Sequence, residues 1–357
     1  MNRTAFTSSR KLDHLRICLE EEIESGNTGF EEIRLVHNAL PSCDMDTLDL
    51  STDFLGHRLG SPLFISAMTG GHPETKVVNE VLAQAAQKFR LGIGVGSQRA
   101  AIENDDLVDT FSIVRDTAPD AFIVGNLGIV QLRDHGIEWA ETAVEMIDAD
   151  ALAIHLNFLQ EAIQPEGDHN ATGCLKAIEE LCTSLSVPVI IKETGCGISE
   201  ETARLCYHAG ASCVDVGGYG GSSWSAIESF RAVKGETDGD QRLSDLGLLF
   251  KEWGIPTAVS VSEVVRCGGP VIASGGIRTG IDIAKALTLG AQLGGMALPL
   301  LKPACDGIQA LSDKIEAIEQ QLRIALFLTG HTRVSEMKDT RWYTAGPASH
   351  MTHKKII

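Results

Sequence analysis

The reactive groups of this sequence gather at the ends of short apolar runs. In ALAIHLN at 151–157, His155 and Asn157 stand two apart, so a strand places them on one face, and Gln160 with Glu161 follows within one turn. An imidazole, amides and a carboxylate at one strand end suit a diphosphate and its magnesium, because Mg2+ takes a carboxylate and phosphate oxygens while keeping several waters. Lys192 closes the apolar run Val189, Ile190, Ile191, which lifts its ammonium to the rim of a buried strand, where a lysine calls for an anionic partner. Two partners stay open on spacing alone: a substrate held as a Schiff base, or a ring that carries negative charge, such as reduced flavin near N1.

Glycine marks two further sites. Gly275 and Gly276 follow an apolar run and open a helix, where bare backbone N–H groups and the helix dipole favour an anion, with Arg278 adding positive potential. Gly220, Gly221 and Ser222 form a second glycine-rich wall with hydroxyl donors. The same kind of position carries Met68-Thr69-Gly70-Gly71, Ser97-Gln98-Arg99, Asn126 and Ala297-Leu298. Polar groups or bare backbone at every such end argue for one functional rim, since packing alone would put apolar residues there.

Eight apolar runs must position these groups: 62–68, 91–97, 121–126, 151–157, 188–194, 212–218, 270–276 and 292–298. Amphipathic stretches of helical length, such as ETKVVNEVLAQAAQKF and IDIAKALTLG, separate them. Strand alternating with helix implies a parallel sheet, and eight near-continuous apolar strands point to a closed (β/α)8 TIM barrel, with an open doubly wound sheet as rival. The expected division is a leader over 1–60 at or near the barrel mouth, the barrel over 61–330, and a polar tail over 331–357. The leader should be helical from Ser9 to Glu24 with Ser8 or Ser9 as N-cap, bringing Arg10 and Lys11 to the mouth if it folds over. The polar stretch 231–242, inserted between the sixth and seventh strands, reads as a surface loop or a lid.

Composition narrows the partners. With 30 Lys+Arg against 48 Asp+Glu the formal charge is −18, which repels nucleic acid and anionic membrane, so any phosphate site must be a local cationic cluster. The nine cysteines include no C-x-x-C pair and read as reduced thiols; with no apolar run of signal or spanning length, the expected location is the cytoplasm. P-loop, dinucleotide-fold, zincin and serine-hydrolase signatures are all missing.

Taken in order, Arg10-Lys11-x-Asp13-His14, Met68-Thr69-Gly70-Gly71, Gly96-Ser97-Gln98-Arg99, His155-Leu156-Asn157 with Gln160-Glu161, and Ser274-Gly275-Gly276-Ile277-Arg278 closely resemble the type 2 isopentenyl-diphosphate delta-isomerase family. The resemblance implies an FMN site from Ala67, Met68, Thr69, Gly70, Ser97, Asn126, Lys192, Ser222, Gly275, Gly276, Ile277, Ala297 and Leu298. It also implies diphosphate binding by Arg10, Lys11, Ser97, Gln98, Arg99, His155, Asn157 and Gln160, with Mg2+ on Glu161. Gln160 and Lys192 would be catalytic, the first at the alkene end and the second near flavin N1. Isopentenyl and dimethylallyl diphosphate would be interconverted by proton addition and removal on reduced FMN, NADPH serving as reductant, in a homo-oligomer (tetramer or octamer). Gly217 departs from the Ser expected of the family, and Ser222 replaces an expected Thr while keeping the hydroxyl. Competing readings are an FMN-dependent 2-hydroxy acid oxidase or dehydrogenase, which would want a histidine where this chain reads DVGGYGGSSW, and a non-catalytic metabolite-binding barrel.

Overall fold

The computed structural model of the chain describes residues 3–233 and 238–345. Its centre is eight strands: β1 Leu63–Ile65, β2 Gly92–Gly94, β3 Phe122–Gly128, β4 Ala151–Leu156, β5 Val189–Glu193, β6 Cys213–Asp215, β7 Val271–Ala273 and β8 Leu293–Met296. Each pairs in parallel with the next, and β8 returns to β1 through Gly294–Leu63 and Met296–Ile65, so the sheet is a closed barrel and the open alternative is excluded. Each of the eight apolar runs contributes one strand.

Side chains alternate along the strands and so build two cores. Phe64, Phe122, Val124, Ala153, Ile190 and Ile272 fill the interior, while Ile65, Ile123, Ile154, Ile191 and Val214 face the surrounding helices. The hairpin Thr52–Phe54 with His57–Leu59 adds Phe54 and Leu59 to the interior cluster, Phe54 meeting Phe122 edge-on at 5.7 Å between ring centroids. The leader therefore supplies part of the barrel's packing as well as a helix.

That helix runs Arg3–Glu20, earlier at both ends than the expected Ser9 to Glu24, so positions 8 and 9 lie within it and not at its N-terminus. It stops early because the following residues pair with the loop after β6: Ser223 donates from its N–H to Ile23 O at 2.9 Å, and Ser25 to Gly221 O at 3.1 Å. The 231–242 stretch also differs from the expected loop or lid. Residues 231–233 end the helix Trp224–Val233, residues 238–242 begin the helix Asp238–Leu249, and 234–237 lie outside the described residues. Small residues let the two helices pack closely: Ser229 Oγ donates to Ser244 O at 2.9 Å, and a Cβ on Gly247 would stand 2.5 Å from Ser225 O. The described part of the tail adds the strand Trp342–Thr344, antiparallel to Ile33–Leu35. Among the described residues no helix is long and apolar enough to cross a membrane.

Candidate active site

The C-terminal ends of the strands open into one cavity, and the loops after β6 and β7 form one wall of it. Gly275 and Gly276 have φ of +96° and +70°, a region that favours glycine. A Cβ on Gly275 would fall 2.1 Å from Gly218 O, one on Gly276 2.2 Å from Gly220 O, and one on Gly221 2.3 Å from Gly276 N. Bare backbone is thus what lets the two loops interlock, and it leaves main-chain groups facing the cavity. Ser66 also lines it, and its hydroxyl is buried with no hydrogen bond among the described residues, as expected of a group awaiting a bound partner. Such a cradle suits a phosphate-bearing flavin.

Gly217, at φ +46°, explains its own departure from the family pattern. A Cβ there would stand 2.0 Å from Glu193 O, so a serine could enter only if β5 moved.

A network of amides orients the next wall. Asn126 donates from Nδ2 to Val95 O at 2.9 Å, which turns Oδ1 toward His155 Nδ1 at 2.8 Å. His155 therefore donates from Nδ1 and presents a bare Nε2. Burial, reinforced by Lys11, Lys192 and Arg10, brings this imidazole down to about 3, so it is neutral and contributes no positive charge. Asn157 donates to Gln160 Oε1 and to Glu161 Oε1, both at 3.1 Å, and Gln160 Nε2 donates to Glu228 Oε1 at 2.8 Å. Glu161 Oε2 accepts from Gln164 Nε2 at 2.7 Å and from Asp168 N–H at 2.9 Å. Held by these donors in one orientation on the cavity lining, the Glu161 carboxylate is a donor that fits a Mg2+ completed by water and ligand oxygens; among the described residues no group of three His, Cys, Asp or Glu could enclose a metal.

The leader helix brings Arg10, Lys11 and His14 onto the same cavity, facing Arg99 and Lys192. Burial, with Arg10 and Arg99 nearby, brings the Lys11 ammonium down to about 7. Arg10 pairs with Glu166 at 3.1 Å while its buried Nε has no partner among the described residues, and Arg99 pairs with Glu103 at 2.8 Å. His14 Nε2 meets Glu228 Oε1 at 3.0 Å, and Arg231 Nε meets Glu228 Oε2 at 2.6 Å. Burial would raise Glu228, but these donors and Gln160 hold it down at about 2, so it is ionised. Beside Lys192, burial pushes Glu193 up to about 7 against the pull of the Cys196, Gly195 and Thr194 N–H groups.

The structure brings together on this lining Arg10, Lys11, Ala67, Met68, Thr69, Ser97, Arg99, Asn126, His155, Asn157, Gln160, Glu161, Lys192, Ser222, Gly275, Gly276, Ala297 and Leu298. It does not bring Gln98, Gly70 or Ile277 there. Gln98 is wholly buried, its Nε2 on Ala143 O at 2.7 Å and its Oε1 on Asn126 N–H at 2.8 Å, so the expected diphosphate contact gives way to a bracing role. Gly70 faces the ring of Phe111, and Ile277 is buried in the outer core. Arg278 lines the cavity, but its guanidinium is paired with Glu24, Nε lying 2.7 Å from Oε1, which offsets the positive potential expected there. His14, Trp224 and Glu228 entered the site unforeseen. The signal was present: Trp224, Ile227, Glu228 and Arg231 recur at helical spacing, setting an acid on an otherwise buried face.

Fold and cradle together define an FMN-dependent dehydrogenase type of barrel, and the sequence profile of the family described as FMN-dependent dehydrogenase matches residues 138–344. Solved structures of mandelate oxidase share the fold, those with (S)-2-phenylpropionate and with 3,3-difluoro-2-hydroxy-3-phenylpropionic acid each giving a TM-score of 0.64 at 17% identity. The likeness covers 96% of this chain in both, and 98% and 99% of theirs. Much nearer are proteins named isopentenyl-diphosphate delta-isomerase. That of Methanoregula boonei is 61% identical over 98% of this chain and 97% of its own. That of Halobacterium salinarum is 52% identical (95% and 94% covered), and that of Archaeoglobus fulgidus 49% identical (95% and 96% covered). The chain belongs to the isopentenyl-diphosphate delta-isomerase family.

Proposed function

We propose that this chain interconverts isopentenyl and dimethylallyl diphosphate, holding reduced FMN and Mg2+ and using NADPH only to reduce the flavin. The observation that carries the reading is the cluster of Arg10, Lys11 and Arg99 over the glycine cradle, beside Gln160 and Glu161, in a chain whose formal charge is −18. Positive charge concentrated there against the overall field suits a small, highly charged anion.

In this reading Ser222, Gly275 and Gly276 would hold the flavin phosphate. Ala67, Met68, Thr69, Ser97, Asn126, Lys192, Ala297 and Leu298 would hold the ring. When bound and reduced, FMN supplies an electron-rich face and an exchangeable proton. Arg10, Lys11 and Arg99, with a Mg2+ on Glu161, would clamp the diphosphate and so fix where the hydrocarbon lies. His155, neutral with Nε2 bare, would offer no donor to a diphosphate oxygen, so the contact expected of it would fall to Arg10, Lys11 and Arg99. Gln160, gripped by Asn157 and by ionised Glu228, would keep one amide orientation beside the alkene during proton movement. The nine free thiols suit a reducing compartment, and we assign the protein to the cytoplasm.

The test is conversion of isopentenyl diphosphate by FMN-loaded protein with NADPH and Mg2+, followed by proton NMR. A yellow protein producing the dimethylallyl isomer only after reduction is expected. Protein that cannot be loaded with FMN, or that is loaded and reduced yet inert, would overturn the reading.

A further inference from the structure

An ammonium has three N–H donors. For Lys192, two have protein acceptors: Asp215 Oδ2 at 3.1 Å and the main-chain oxygen of Glu193 at 3.1 Å. The third is left for the cavity that Lys192 lines. Asp215 sits on β6 directly across from Lys192 on β5 and is only 2% exposed. Its other oxygen, Oδ1, accepts from Ser274 Oγ, so both carboxylate oxygens are engaged. Asp215 itself is not on the active-site lining; it faces the barrel interior beneath Lys192. Gly217 belongs to the same arrangement, because its missing side chain leaves room for the Glu193 carbonyl that takes one Lys192 proton.

We propose that Asp215 is a positioning residue that aims the remaining N–H of Lys192 into the cavity and offsets part of the ammonium's field at the bound ring. In a buried site a charge pair is screened little, so loss of one partner leaves the other's field largely unopposed. The inference rests on the reading that FMN occupies the cavity. Reduction adds two electrons and one proton to the ring, giving the reduced anion, and a stronger positive field favours that product.

The experiment is a reductive titration of FMN-loaded protein with dithionite against a reference dye, alongside the FMN dissociation constant from fluorescence. Asp215→Asn is expected to shift the reduced-to-oxidised ratio at a given potential about tenfold toward reduced, which for a two-electron couple is about +30 mV. Lys192→Met is expected to shift it the opposite way, and Asp215→Asn added to Lys192→Met to raise the potential again, because the carboxylate's field at the ring is then unopposed. If Asp215→Asn does not fold, Asp215→Ser, smaller and equally uncharged, should move the potential in the same direction. An unchanged or lowered potential in a folded, FMN-loaded Asp215 variant overturns the proposal, as does the absence of any upward shift when Asp215→Asn is added to Lys192→Met. Failure of the unaltered protein to bind FMN would instead overturn the functional reading.

Discussion

Lys11 offers the sharpest test of how the cationic mouth works. Burial and the neighbouring Arg10 and Arg99 bring its ammonium down to about 7, and no carboxylate pairs with it among the described residues. A bound diphosphate would supply the missing opposite charge and raise it again. The complex then holds more protons than the free protein at any pH above about 7, so affinity must fall as pH rises. For a group at about 7, the neutral fraction at pH 8 is ~0.9, so binding should take up ~0.9 proton there. Between pH 7 and 9 the dissociation constant should rise about fifty-fold, or ~2.3 kcal/mol at 1.36 kcal/mol per pH unit. His155, at about 3, is silent in this window, whereas Glu193, pushed to about 7, gains negative charge and weakens binding in the same sense. Lys11→Arg separates the two, because a guanidinium stays charged throughout and leaves only the contribution of Glu193. The assay is calorimetric titration of FMN-loaded protein with isopentenyl diphosphate and Mg2+, in two buffers of unlike ionisation enthalpy. A pH slope and proton uptake equal in the parent and in Lys11→Arg would refute the reasoning.

Three further outcomes follow from the same geometry. Glu161→Gln should weaken Mg2+-dependent substrate binding at least tenfold while FMN content, read by absorbance, is kept; unchanged magnesium dependence would remove the carboxylate from that role. Gly217→Ser must place a Cβ 2.0 Å from Glu193 O at φ +46°, and should cost about 2–3 kcal/mol in chemical denaturation, whereas Ser222→Thr, on the same cavity, should cost little. Gln98→Ala strands Ala143 O and Asn126 N–H in the core and should lose about 2–4 kcal/mol of stability with little change in KM; a larger effect on KM than on stability would return Gln98 to the substrate.

The barrel was legible because buried parallel strands must read as near-continuous apolar runs. The polar groups closing those runs marked the rim for the same reason. What stayed hidden depends on pairings distant in sequence or on side-chain direction. Arg278 and Glu24 meet across 254 positions, and nothing local in Ser274 to Gly280 shows that the guanidinium is already partnered. Gln98 stands between two cavity residues, Ser97 and Arg99, yet points inward, because the N–H of Asn126 takes its oxygen. The helix pair after β6 was obscured by the polarity of 231–242, which suits a loop; what makes it a pair of helices lies on either side of that stretch, where Ser225, Ser229, Ser244 and Gly247 are small because two helices cross there.

The way the leader docks links the mouth of the cavity to the residue expected to govern proton movement. Burial keeps His14 below its ordinary range, so the neutral ring donates from Nε2 to Glu228, while Arg231 supplies the charge that balances this buried carboxylate. Gln160 donates to the same oxygen, Glu228 Oε1, that receives the His14 proton. Arg10, four residues before His14 on the leader helix, pairs with Glu166, which Arg231 also holds at 2.8 Å. Lifting the leader would therefore take away Arg10 and Lys11, two of the three cations proposed for the diphosphate, and, at once, one of the two donors that fix Glu228 Oε1. Released on that side, the carboxylate could rotate and free the Gln160 amide. The orientation of Gln160 is thus tied on one side, through Glu228, to the docking of the leader, while Asn157 holds its other side.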